Sequence, residues 1–138
     1  MLQPGAPAPD LALDAAPVVL VFFKIACPTC QYAFPYLERL HRAGARLLAI
    51  SQDDPEGTSQ FHAEFGVTIP TIFDREEDGY PASNAYGITH VPSLFQIEHG
   101  KITWTTSGFS KSDLTELARR LSAPLFLDTD QVPMWKPG

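Results

Sequence analysis

The most constraining feature of this chain is an apolar run that leads directly into a pair of cysteines. Residues 18–23 read Val-Val-Leu-Val-Phe-Phe, and Cys27-Pro28-Thr29-Cys30 follows after Lys-Ile-Ala. A short run of β-branched and aromatic residues predicts a buried strand, which we place at 17–25. Residues 28–43 predict a helix, because Pro28 suits a first helical position and Gly44 follows where a C-terminal cap is expected. The two thiols therefore lie on a strand-to-helix turn.

Cys27 and Cys30 are the only two cysteines of the chain. A cysteine at a helix N-terminus faces unpaired backbone N–H groups and the positive end of the helix dipole, which favour its thiolate. The thiolate is the nucleophile in disulfide exchange. We therefore expect Cys27 to attack a disulfide and Cys30, one turn further on, to resolve the mixed disulfide.

The spacing of the two cysteines alone leaves two alternatives open, which are half of a zinc site and a packed, non-catalytic thiol pair. A zinc site usually needs four ligands, commonly two Cys pairs or a Cys pair with a spaced His pair. The chain has no second Cys pair, and its four histidines show no such spacing (His41, His62, His90 and His99). We therefore expect redox chemistry with no metal and no cofactor.

The rest of the chain predicts alternating strands and helices. The strands are placed at 46–51, 68–73, 91–98 and 101–106, and the helices at 55–65, 81–86 and 110–121. Residues 1–16 are expected to form an irregular lead-in, and residues 122–138 a tail that contains Phe126 and Trp135. This order predicts one α/β domain over residues 1–138, with a mixed central sheet that is antiparallel at the His99-Gly100 hairpin.

The charge and the apolar content of the chain argue against two classes of partner, nucleic acids and membranes. The chain has 138 residues, with 10 Lys and Arg against 16 Asp and Glu, which gives a formal charge of −6. An acidic chain without basic clusters argues against binding to nucleic acid. No apolar run approaches the ~20 residues of a membrane helix, so membrane insertion is not expected. The first residues lack the basic and apolar segments of a signal peptide, which favours the cytoplasm, or the periplasm if a signal has been removed.

Several segments together resemble the thioredoxin superfamily, and within it the TlpA/ResA-like branch that neighbours the peroxiredoxins. The resemblance covers about residues 6–121. It rests on the segments Ala6-Pro7-Ala8-Pro9-Asp10-Leu11, VVLVFFKIACPTC, Pro35 inside the first helix, YGITHVPSLFQIEHGKI from Tyr86, and Gly108. The stretch from Ile50 to Asp74 resembles the segment that contains an added strand in TlpA-like proteins.

This resemblance implies a three-layer α/β/α sandwich and a thiol–disulfide oxidoreductase. It also implies a cis peptide bond before Pro92, close to Cys27, with backbone beside it that pairs with the substrate as an added strand. The substrate side of the site would then include Pro28, Thr29, His90 and Val91. The implied partners are protein disulfides or dithiols and an upstream reductant, and the chain is expected to act as a monomer.

The chain departs from the thioredoxin pattern at two positions. Ala26 stands where thioredoxins have Trp, and Val21 stands where they bury an Asp that accepts the proton of the second cysteine. TlpA-like proteins can use an acidic residue after the next strand, which here is Asp54 or Asp53. The alternative is that Asp-Asp-Pro forms a turn and caps the following helix. His90 similarly is either a group that titrates beside the thiols or an exposed loop histidine.

Two competing functions remain from the sequence. One is a peroxiredoxin-like thiol peroxidase, in which Cys27 occupies the Thr position of a TxxC motif and Cys30 is the peroxidatic cysteine. The other is a metal-binding module that uses the two thiols together with His90.

Overall fold

The computed structural model describes residues 1–11, 14, 16–126 and 130–138. A five-stranded mixed sheet with the order β3-β2-β1-β4-β5 forms its centre. The strands are β1 (Val18–Phe23), β2 (Leu47–Ser51), β3 (Thr71–Phe73), β4 (Ser93–Glu98) and β5 (Lys101–Ser107). β1, β2 and β3 are parallel, whereas β4 runs antiparallel to both β1 and β5. The mixed sheet predicted from the sequence is therefore confirmed.

In the described ranges, four α-helices connect or follow these strands. They are α1 (Pro28–Arg42), α2 (Pro55–Phe65), α3 (Pro81–Tyr86) and α4 (Lys111–Arg120), and a short 3-10 turn covers Glu76–Asp78. α1, α2 and α3 each begin at a proline, whose fixed φ and missing N–H suit the first helical position. Within the described ranges, no helix is both long and apolar enough to cross a membrane.

β1 is the central strand, and its side chains alternate between two apolar clusters. Val19, Val21 and Phe23 pack with residues of α1, α2 and α4 on one face. Val18, Leu20 and Phe22 pack on the other face, against Tyr86 at the end of α3 and apolar side chains of the N-terminal segment. This burial on both faces explains the uninterrupted apolar run. It also gives the three layers of the expected sandwich.

Some boundaries differ from the sequence expectation. β1 ends at Phe23 rather than at residue 25, and β4 begins at Ser93, so Val91 and Pro92 lie in a loop. The described residues of the lead-in are mostly irregular and include a bridge between Pro7 and Lys101. Residues 12, 13 and 15 of that lead-in, and residues 127–129 of the tail, lie outside the described residues.

The end of the tail forms regular structure that the sequence did not predict. β7 (Trp135–Lys136) pairs antiparallel with β6 (Phe109–Ser110), the two residues before α4. Phe126 packs against the core, whereas the Trp135 side chain is 62% exposed. The last residues of the tail are therefore joined to the body by backbone pairing, and the Trp135 side chain buries little area.

Candidate active site

Cys27 is the N-cap residue of α1 and places its sulfur at the start of the helix. Its Sγ accepts the backbone N–H of Cys30 at 3.1 Å, one of the donors that a helix N-terminus leaves unpaired. The residue is half-buried, between Ala26 and Pro28, which are both exposed. Cys27 is therefore partly accessible, with a backbone donor directed at its sulfur, and its attacking role stays a prediction.

Cys30 lies one turn into α1 and its residue is fully buried. Burial raises the pKa of the Cys30 thiol well above its ordinary value, and the hydrogen bond with Cys27 raises it further. Both cysteines are free thiols. Only the half-buried thiol is accessible to a partner, so the two cysteines differ in the way that attack and resolution require. The same burial argues against Cys30 as a peroxidatic cysteine, since peroxide must reach the thiolate.

The loop before β4 faces the sulfur of Cys27. The Val91–Pro92 peptide bond is cis, as predicted. Cys27 Sγ donates to the backbone oxygen of Val91 at 3.5 Å, and Pro92 is buried. The oxygen of Pro92 accepts the N–H of Gly108 at 2.9 Å. The structure therefore brings together the cysteine pair, the cis-proline loop and the segment before α4, although they are far apart in sequence.

Thr29 makes a contact that the sequence did not reveal. Its hydroxyl donates to the backbone oxygen of Pro137 in the tail. Pro28 is exposed at the first position of α1. Of these two residues, which were predicted to lie on the substrate side, Thr29 already has a partner from the same chain.

His90 and Lys24 are both exposed and line one cavity of about 240 Å³ beside Val91. The Nδ1 of His90 lies 3.0 Å from the hydroxyl of Thr89, and the backbone oxygen of His90 accepts a hydrogen bond from Ser93. His90 is thus an exposed loop histidine that borders the site. A role of His90 on the substrate side of the site stays a prediction.

Asp53 and Asp54 have different positions. Asp54 is exposed and is the N-cap residue of α2, where its Oδ1 accepts the N–H of Gly57 at 2.6 Å. Asp53 is partly buried, and its Oδ2 accepts the N–H of Ile25 at 2.8 Å, which holds it against the loop before Cys27. The structure gives Asp54 the capping role that the sequence offered as the alternative. Proton acceptance by either carboxylate stays a prediction.

The described residues offer little to a metal. Among them, no three His, Cys, Asp or Glu side chains lie close enough together to hold an ion. His90 instead has Thr89 as its neighbour. Among the described residues, the two thiols therefore have no further His, Cys, Asp or Glu close enough to complete a metal site.

The model of the AhpC/TSA family matches residues 8–105, which is more than half of the chain. The chain belongs to the AhpC/TSA family. Within it the chain is ResA-like. It is 30% identical over 118 residues to the thiol-disulfide oxidoreductase ResA of Halalkalibacterium halodurans, an alignment that covers 81% of this chain and 65% of the relative. It is 28% identical over 104 residues to ResA of Geobacillus kaustophilus, which covers 70% of this chain and 58% of the relative.

This AhpC/TSA chain therefore spans somewhat less than two thirds of the length of both ResA relatives. Solved structures agree on the fold. The thioredoxin domain of a thiol-disulfide oxidoreductase from Bacteroides vulgatus superposes with a TM-score of 0.72 at 19% identity, covering 87% of this chain and 98% of that one. A thiol:disulfide interchange protein from Bacteroides sp. gives a TM-score of 0.71 at 19% identity, covering 88% and 92%. The fold is thioredoxin-like.

Proposed function

We propose that this chain is a thiol–disulfide oxidoreductase that exchanges its Cys27–Cys30 dithiol with disulfides in other proteins. The observation that carries the proposal is the asymmetry of the pair. Cys27 Sγ is half-buried and accepts the helix N–H of Cys30 at 3.1 Å, while Cys30 is fully buried. The names of the ResA relatives support the same activity.

The reaction proceeds in two exchange steps. The thiolate of Cys27 attacks one sulfur of the partner's disulfide, so a Cys27–partner bond forms, the partner's S–S bond breaks, and one partner thiolate leaves. Cys30 then loses its proton and attacks Sγ of Cys27. The Cys27–Cys30 disulfide forms, and the partner leaves with a second thiolate and two electrons. A dithiol donor restores the reduced pair, and the same steps in reverse oxidise a partner dithiol.

The partner that fits this site is an extended protein segment carrying a cysteine. The backbone oxygen of Val91 faces Cys27 Sγ at 3.5 Å, so a segment that reaches the sulfur must pass along the loop of Val91 and Pro92, where backbone pairing is available. The cysteine pair and this loop come from one chain, and we therefore propose that a monomer suffices. The upstream reductant is proposed only as a dithiol donor.

Trapping tests the proposal. In Cys30→Ser the first exchange step is intact but resolution is removed, so the mixed disulfide between Cys27 and its partner should accumulate when an oxidised protein substrate is added. Non-reducing electrophoresis with mass spectrometry identifies the linked peptide. Cys27→Ser is the matched control and should trap nothing, because the remaining thiol is buried. Absence of an adduct in Cys30→Ser, or equal adducts in both variants, would contradict the assigned roles.

A further inference from the structure

Residues 134–138, the tail strap, cross the molecule beside the exchange site. Its β7 pairs with β6 in the register Phe109 with Lys136 and Ser110 with Trp135. The N–H of Lys111 adds a hydrogen bond to the oxygen of Met134 at 2.8 Å. The strap thus extends the backbone pairing from the start of α4 toward the cysteines.

The end of the tail strap touches both sides of the Cys27 environment. On one side, the oxygen of Pro137 accepts the hydroxyl of Thr29, which lies between the two cysteines. On the other side, Gly138 lies so close to the oxygen of Val91 that a Cβ on this glycine would stand 2.6 Å from that atom. This is the same oxygen that accepts from Cys27 Sγ. The strap therefore contacts the two places beside Cys27, Thr29 and the oxygen of Val91, where the proposed function puts a substrate segment.

Two glycines permit this close approach. A Cβ at Gly108 would lie 2.7 Å from the oxygen of Lys136, and a Cβ at Gly138 would lie 3.3 Å from the Cα of Gly108. Gly108 also has a φ of +74°, which side chains disfavour. The strap therefore packs backbone against backbone at these two glycines, and a single methyl group at Gly138 is enough to disturb this contact.

Polar contacts to α1 and backbone pairing hold the tail in place. Asp130 pairs with Arg39 at 2.6 Å, the Tyr32 hydroxyl donates to the oxygen of Gln131 at 3.3 Å, and Lys136 Nζ lies 4.8 Å from the centre of the Tyr32 ring. The Met134 side chain is 66% exposed and, like Trp135, buries little apolar area. The Arg39–Asp130 pair is partly buried and lies before the strap. The strap itself is held by backbone hydrogen bonds and by the Lys136 contact with Tyr32, so it can open without unfolding the body.

We propose that the tail strap is a reversible internal cover of the exchange site. Closed, it occupies the backbone positions beside Val91 and Thr29 and limits the access of large partners to Cys27. A protein substrate has to displace it, so the strap sets which partners react and how fast. The effect of the strap on turnover rests on the proposed function. Its effect on the accessibility of the Cys27 thiol does not.

Alkylation of Cys27 tests the cover without requiring any oxidoreductase activity. Cys30→Ser provides a single-thiol background, in which the rate of alkylation is measured with small iodoacetamide and with a bulky polyethylene-glycol maleimide. Ending the chain after Pro133 should raise the bulky-to-small rate ratio about fivefold or more, since the opening equilibrium no longer limits access. Taking the ratio cancels changes in the reactivity of the sulfur.

Gly138→Ala and Met134→Ala form the matched pair in the same background. The first cannot keep the contact with Val91 and should raise the ratio in the same direction, whereas the second removes only an exposed side chain and should leave it unchanged. Circular dichroism and thermal unfolding show whether the shortened chain folds, and Gly138→Ala decides the question if it does not. If the shortened chain folds and its ratio is unchanged, the proposal is overturned. If the shortened chain does not fold, an unchanged ratio in Gly138→Ala overturns it.

Turnover separates this proposal from the proposed function. In the background with both cysteines, the shortened chain should reduce protein disulfides in insulin faster than the full chain, with a smaller gain for oxidised glutathione. If neither chain reduces either substrate while the alkylation ratio still rises, the exchange function is wrong and the cover stands. If both chains reduce insulin at the same rate, the strap does not control partner access.

Discussion

At the scale of single residues, the site depends on the different burial of two thiols that lie one helix turn apart. Cys27 caps the helix at the surface, while Cys30 lies in the same apolar cluster as Val21 of β1. Val21 stands where thioredoxins bury a carboxylate, so this strand offers no acceptor for the proton of Cys30. The burial that keeps Cys30 away from solvent is also the main cause of its raised pKa.

We predict that resolution of the mixed disulfide speeds up with pH through the neutral range and past pH 9, the ordinary thiol pKa. The reactive form of Cys30 is its thiolate, and burial, the largest cause of its raised pKa, does not depend on the Cys27 thiol. The thiolate fraction therefore grows about tenfold per pH unit below that pKa. Rapid-quench measurement of partner release from the Cys27-linked adduct follows this step alone. A plateau in the release rate below pH 9 would contradict the raised pKa.

At the scale of the elements, substitutions of Asp54 can distinguish its capping of α2 from a role in proton transfer. Its side chain accepts the N–H of Gly57 at the start of α2. Asp54→Ala should lower the free energy of unfolding by about 1 kcal/mol, the usual cost of losing an N-cap. Asp54→Asn keeps a good capping side chain but removes the charge, so it should unfold like the parent chain in urea.

The same pair of variants tests the acceptor role by partner release. We expect Asp54→Asn to release the partner at the parent rate, because the exposed carboxylate is engaged at the helix. Release that slows at least about tenfold in Asp54→Asn, without a loss of stability, would instead assign the proton to this carboxylate. Asp53→Asn provides the comparison for the carboxylate that accepts from Ile25.

At the scale of the whole molecule, Glu38 joins α1 to the segment before β3. It is 4% exposed, and its carboxylate accepts from the N–H and hydroxyl of Thr68 and from Arg42. Burial alone would raise the pKa of Glu38, but these hydrogen bonds bring it below its usual 4.5. A lowered pKa in the folded state contributes stability above the unfolded pKa, and that stability is lost as pH falls through the folded value.

Glu38→Gln should therefore lower the free energy of unfolding by about 1–3 kcal/mol at neutral pH, because hydrogen bonds to a charged group are weakened or lost. The difference from the parent chain should shrink as the pH falls below 4.5, as measured by urea unfolding across that range. Glu64→Gln, at an exposed position on the neighbouring helix α2, is the control and should change stability little. A Glu38→Gln gap that is constant with pH would contradict the assignment.

The sequence predicts most of the elements because their signals are local. The apolar run of β1 and Pro28 at the start of α1 each act within a few residues, and the structure confirms them. Both β1 and β4 were predicted too long by two residues, β1 at its end and β4 at its start, because Ile25 and Val91 suit a strand but belong to the loops of the site.

The tail and the Glu38 contacts could not be predicted in the same way. Thr29 and Pro137 lie 108 positions apart, and the acceptor is a backbone oxygen, which has no side-chain signature. Gly108 and Gly138 offered the one usable signal, since glycine permits a close approach of two backbones. That signal does not say which segment approaches.

The sequence by itself determined the strand–turn–helix that presents CPTC and the mixed α/β sheet, because spacing and periodicity fix local structure. Its resemblance to thioredoxins added the cis bond before Pro92. Only the tertiary structure decided that Cys30 is buried, that Val91 faces Cys27, and that the end of the tail contacts Thr29 and Val91. These follow from packing between segments distant in the chain. Such packing depends on how whole layers fit together and not on any one motif.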